Sequence, residues 1–129
     1  MTDLDEMLRT LMVSIRPERY TFVSLPPTAT PILGDGIEAI ISEAEGETVV
    51  TTIERALREG WSVDFVAAWL TLEIHSALEA VGLTAAFSTA LAEAAIPCNV
   101  LAGFHHDHLL VPDGRATEAV AVLEALRRS

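Results

Sequence analysis

Cysteine occurs once in this chain, at Cys98, so no disulfide can close within it, and the sequence suits a reducing compartment. Basic residues are scarce as well: Lys and Arg together number 8 against 19 Asp and Glu, a formal net charge of -11. Phosphate backbones and anionic membranes repel such a surface, and no basic stripe offsets it, which argues against both as partners. Arg127 and Arg128 read instead as complements to a helix C-terminus. No apolar run approaches the ~20 residues that a membrane-spanning helix needs. Met1 to Glu6 carries three acids and no base, unlike a secretory leader. Nucleotide-binding loops, nucleophile elbows and H-E-x-x-H are missing too, so no enzyme signature stands out. The expectation is a cytoplasmic, non-catalytic protein that needs no cofactor.

Apolar material is abundant. Half of the 129 residues are hydrophobic and the mean hydropathy is +0.37, enough for one compact unit or two small modules. Leu4, Met7, Leu8, Leu11 and Met12 recur at helical spacing behind Thr2 as a candidate N-cap. Tyr20–Leu25 is β-branched and aromatic and stops at Pro26-Pro27, which predicts a strand, with a further strand near Met12–Ile15. Asp35 and Glu38 have capping-box form, and Ile37, Ile40 and Ile41 then predict a helix to Glu43. A strand over Glu47–Val50 follows. Thr51 and Glu54 form a second capping box, opening a helix that Gly60 closes.

In the second half, Trp69–Ser76 alternates, with Leu70, Leu72, Ile74 and Ser76 on one face and Trp69, Thr71, Glu73 and His75 on the other. A loop over Ala77–Leu83 leads to an Ala-rich helix, Thr84–Ala95, with Phe87, Leu91 and Ala94 in one stripe. Cys98–Gly103 and His108–Val111 read as paired strands. Asp113 is placed to cap a last helix whose face is Ala119, Val122, Leu123 and Leu126. This β-α-β-β-α order begins a split β-α-β unit, in which helices cover one face of an antiparallel sheet. Its fourth strand is missing, and a vacant edge invites pairing. A strand from the first half, or from a partner chain, is expected to fill it.

The run from His75 to Ala85, then Ser88–Ala92, Ile96–Val100 and His106–Leu109, resembles the ACT domain, in particular the short bacterial form related to eukaryotic arginine-sensing proteins. The likeness spans about residues 69 to 127, and its most specific parts are the Val-Gly-Leu loop opening a helix and the Cys-Asn-Val strand. The first half is less specifically similar to a degenerate ACT-like module. The resemblance implies an α+β fold of tandem ferredoxin-like (βαββαβ) modules, divided as residues 1–62 and 63–129, with antiparallel sheets and helices on one face. It also implies a homodimer and amino-acid binding where modules pair. The ligand would meet the glycine loop and an asparagine on the second strand, places held here by Gly82 and Asn99.

The residues support that site chemically. A strand-to-helix corner at Gly82-Leu83-Thr84 offers free N–H groups suited to a carboxylate, though a loop that simply needs glycine has the same look. Asn99 can donate and accept toward an amino or carboxylate group, or it can face water. Ser76 ends the first strand beside the same corner, Val100 neighbours Asn99, and Glu79 or Asp107 could balance a ligand ammonium or stay solvated. A second reading is a metal-binding module built on His105, His106, Asp107 and His108, in which only His106 and His108 share a strand face and a third ligand must come from elsewhere, His75 being the one other histidine. A third is a pairing domain with no ligand. Cys98 reads as an inert, buried thiol.

Overall fold

The computed structural model describes residues 3–74 and 80–128, and it divides the chain into two compact units: Met1–Arg16 with Ala68–Ser129, and Pro17–Ala67. The strand β1, Met12–Leu25, contributes residues to both.

The larger unit holds α1 (Asp3–Arg9), the first residues of β1, β4 (Ala67–Glu73), α3 (Ala80–Glu93), β5 (Asn99–Ala102), β6 (Asp107–Pro112) and, after a 3-10 turn, α4 (Ala116–Glu124). Its strands lie in the order β1-β4-β6-β5. The expected β-α-β-β-α unit is therefore present, and the edge beside β4 is filled by β1, a strand from the first half. Alternation along β4 and β6 sends Ala68, Leu70, Leu72, Leu109 and Val111 to one face, where Leu83, Phe87 and Leu91 of α3 and Ala119 and Leu123 of α4 bury against them. Leu8 and Leu11 from the α1 segment complete this core, as the N-terminal stripe predicts, but Met12 is exposed and opens β1 instead. Thr2 lies outside the described residues.

Two boundaries differ from expectation. α3 begins at Ala80 rather than Thr84, so Gly82 sits in its first turn and not in a loop. Ala80 and Val81 are acceptable in a helix, and a single glycine near the end costs little there. The end of α3 is a Schellman turn: Ile96 N–H donates to the Leu91 carbonyl at 2.9 Å while Ala95 adopts φ +57. Arg115 reaches across to the same turn, donating to the carbonyls of Ala94 (3.0 Å) and Ala95 (3.1 Å). Asp113 lies in the 3-10 turn before α4, and no side chain caps that helix.

The smaller unit holds β2 (Ile37–Glu43), β3 (Gly46–Thr52), α2 (Ile53–Glu59) and the later residues of β1, with strands in the order β2-β3-β1 and both pairings antiparallel. The helix expected over Asp35–Glu43 is a strand. Its register shifts between Ile37 and Ala39, a bulge that leaves Ile37 opposite Thr51 and Ile40 opposite Val49, on one face. A three-residue apolar spacing thus arises in a strand. Gly34, Asp35 and Gly36 all have positive φ, a backbone that cannot start a right-handed helix. Gly46 is required as glycine, because a Cβ there would fall 2.1 Å from the Leu25 carbonyl oxygen. α2 is capped one residue later than the sequence suggests: the Thr52 hydroxyl accepts from Arg55 N–H. Gly60 closes it as expected, in a left-handed turn whose Trp61 N–H donates to Ala56. Val23, Leu25, Ile37, Val49 and Ala56 form the core. Thr21 and Thr51 face each other across the ladder, fully buried, and neither hydroxyl has a hydrogen-bond partner.

Candidate functional site

The residues singled out in the sequence fall into two groups within the larger unit. Gly82, Leu83 and Thr84 lie in the first turns of α3. Leu83 is buried in the core, and Thr84 is exposed. Gly82 faces α1: a Cβ there would sit 3.5 Å from the Leu4 side chain, ordinary contact distance. Ser76, His75 and Glu79 lie outside the described residues.

Asn99, Val100 and Asp107 lie together on the β5–β6 hairpin, where Asn99 pairs with Leu110, Val100 with Leu109 and Ala102 with Asp107. Directly paired residues share a face, so Asn99 shares one with Leu110 and His108, away from the helices. Asn99 and Val100 are exposed, and β5 is the last strand of the order. Gly82 lies near the described start of α3 and Asn99 follows its end; the helical residues Leu83–Glu93, about 17 Å of helix, lie between them. One chain does not bring these two residues together.

The face opposite the helices carries a cluster that the sequence reading missed. The Trp69 indole N–H donates to His108 Nδ1 at 3.1 Å, and Thr71 Oγ1 stands 3.1 Å from the same nitrogen. The Arg16 guanidinium lies 3.9 Å over the Trp69 ring, a cation–π contact. An indole N–H can only donate, so Nδ1 accepts and the neutral ring carries its proton on Nε2. Burial pushes the His108 imidazolium pKa down, the nearby charges of Arg16 and His106 add to this, and Asp107 opposes it. One signal was available: Trp69 and Thr71 occupy the polar phase of an alternating strand. Arg16 fell between two expected strands and gave none.

This geometry bears on the metal reading. His106 precedes β6, so the strand alternation that paired it with His108 does not reach it. His108 Nδ1 is engaged by Trp69, and among the described residues no three His, Cys, Asp or Glu side chains are placed to hold an ion. Cys98 is half-buried, and burial raises its thiol pKa, which keeps it protonated.

A β-α-β-β-α unit with helices over one face, its open edge closed by an upstream strand, defines a ferredoxin-like α+β domain. Residues 1–68 and residues 65–125 each match the ACT domain family, and the chain belongs to it. A Vibrio cholerae protein of unknown function, described as a possible transport protein, superposes with a TM-score of 0.83 at 34% identity, covering 96% of this chain and 95% of that one. An Agrobacterium tumefaciens protein shares the fold at 18% identity and a TM-score of 0.67, over 91% of this chain and 89% of that one. A search of curated proteins found no match. ACT domains are in general regulatory binders of small molecules, and no catalytic family is indicated. Among the described residues no helix is long and apolar enough to cross a membrane.

Proposed function

We propose that the chain is a cytoplasmic amino-acid sensor of two tandem ACT modules, residues 1–62 and 63–129, the first degenerate, and that it works as a homodimer. One observation carries the dimer: Gly82 and Asn99 sit at opposite ends of α3 in one chain. β5 starts near the end of α3, only Pro97 and Cys98 lying between the Schellman turn's Ile96 and Asn99. If β5 pairs antiparallel with β5 of a second copy, the partner's Asn99 comes to the Ala102 end of this strand, the end nearer residues 80–82. The edge suits such pairing: Asn99–Ala102 carries no charge and Val100 is 42% exposed, whereas the edge strand β2 carries Glu38 and Glu43. The amide hydrogens at Gly82 to Thr84 would hold the ligand carboxylate, the partner's Asn99 its polar atoms, with Ser76, Val100 and Asp107 near by.

Thermal shift and calorimetry against the amino acids test this. Gly82→Ala separates fold from function: the new methyl meets Leu4 at contact distance and suits a helix, so stability holds or rises by about 0.5–1 kcal/mol. The same methyl crowds a ligand at that amide, so the response is lost. Asn99→Ala should weaken binding about 10- to 100-fold, and Val100→Lys should give a monomer that no longer responds. Silence of the folded wild type across the panel, or full binding by the Val100→Lys monomer, refutes the reading.

A further inference from the structure

The chain's eight basic residues are all arginines, and in an acidic molecule two of them converge on one carboxylate. In the smaller unit, Arg55 Nη1 and Arg58 Nη2 lie 3.4 and 2.7 Å from Asp35 Oδ2. Beside them is an open cavity of about 350 Å³, lined by Thr30, Pro31, Ile32, Leu33, Asp35 and Arg55 together with the Gly34 backbone. That volume lies in the range used for small ligands. Its apolar walls are not packed away: Ile32 and Leu33 are 78% and 61% exposed.

Arg55 is held in place without the Asp35 side chain. Its Nε donates to Glu59 at 3.1 Å, its Nη1 donates to the Asp35 backbone carbonyl at 2.8 Å, and its guanidinium lies 5.6 Å from the Trp61 ring centre. Side-chain exposure is 19% for Arg55 and 74% for the carboxylate it meets. A fixed, mostly buried cation therefore faces a solvent-exposed acid. Asp35 also holds a left-handed backbone at φ +51 between Gly34 and Gly36, so its departure from the arginines would relieve no packing and open the cavity's polar end.

We propose that this is a second binding site, taking a small monocarboxylate with a branched aliphatic tail, and that the Asp35 side chain occupies the acid's place until the ligand arrives. The ligand carboxylate replaces Asp35 Oδ2 on Arg55 and Arg58, and its tail lies against Ile32, Leu33 and Pro31. The site is independent of the amino-acid site in the larger unit.

The probe is 3-methylbutanoate, followed by backbone amide chemical shifts and by calorimetry on the full chain, with 3-methylbutan-1-ol as the neutral control. Wild type should show saturable shifts at the amides of Leu33, Gly34 and Gly36. Asp35→Asn removes the internal competitor, and asparagine tolerates the left-handed backbone, so the acid should bind about fivefold tighter or more. Arg58→Gln, at a half-exposed position on α2, should weaken it by a similar factor while far-UV dichroism stays unchanged. The proposal is overturned if Asp35→Asn binds no tighter than wild type, if the alcohol binds as well as the acid, or if the perturbed amides lie only near Gly82 and Asn99.

Discussion

Pro17–Ala67 and the larger unit that contains Ala68–Ser129 both lay helices on one face of antiparallel strands, yet they distribute their polar groups in opposite ways. In the larger unit Leu70, Leu72, Leu109 and Val111 build an apolar helix-covered face, and the polar side chains of Thr71 and His108 lie on the reverse face. In the smaller unit the covered face includes Thr21 and Thr51, buried with unpartnered hydroxyls, each a loss on the order of 1–3 kcal/mol relative to a satisfied group. It has one seven-residue helix, and its long loop is held by backbone hydrogen bonds, by Ala29 against the core and by the Asp35–Arg55–Arg58 ion pairs. The difference teaches that both units rest on a buried apolar core, and that the smaller one also buries polar side chains without partners.

The strongest way to break this comparison is to cut a hole in the apolar core. Phe87 is fully buried between α3 and the sheet, so Phe87→Ala should cost about 3–5 kcal/mol in urea unfolding. A loss under 1 kcal/mol would show that the helix layer is not what holds the larger unit.

The next test addresses the polar face. His108 has its pKa depressed in the folded chain, so the folded state binds fewer protons than the unfolded one below the ordinary value of 6.5. Stability is thus complete above about pH 6.5 and declines as pH falls through the folded-state pKa. His108→Gln keeps an acceptor for the Trp69 N–H and does not titrate. Denaturant midpoints followed from pH 8 to 5 should fall more steeply in wild type than in this variant, and Trp fluorescence should report the same step. Parallel curves would remove His108 from the acid response.

The smallest effects come from a matched pair of turns. α2 and α3 end in the same six-to-one closure, with Gly60 at the left-handed position of one and Ala95 at that of the other. A Cβ at Gly60 would meet nothing within 4 Å, so Gly60→Ala isolates the backbone cost, about 1 kcal/mol, and Ala95→Gly should return a similar amount. Thermal midpoints moving in the same direction in both variants would contradict the reading of Ala95 as a strained cap.

The errors in reading the sequence have identifiable causes. Ile37, Ile40 and Ile41 suggested a helix because the bulge at Glu38 adds one residue to the strand period and turns a spacing of two into three. Gly82 suggested a loop because glycine is a breaker by default, whereas here it opens a helix against Leu4. Gly82 and Asn99 were placed at one site from their order along the sequence, which does not register that most of α3 lies between them.

Local patterns were enough for the alternation of β4, the stripe of α3, the β5–β6 hairpin and the Gly60 cap. Each depends on neighbours a few residues apart, where periodicity and turn chemistry act directly. Tertiary structure alone decided that β1 closes the edge beside β4, that β2 is a strand, and that Arg16, Trp69 and His108 meet. Those outcomes join residues dozens of positions apart, and the pairing energy that selects them leaves no periodic trace in the chain.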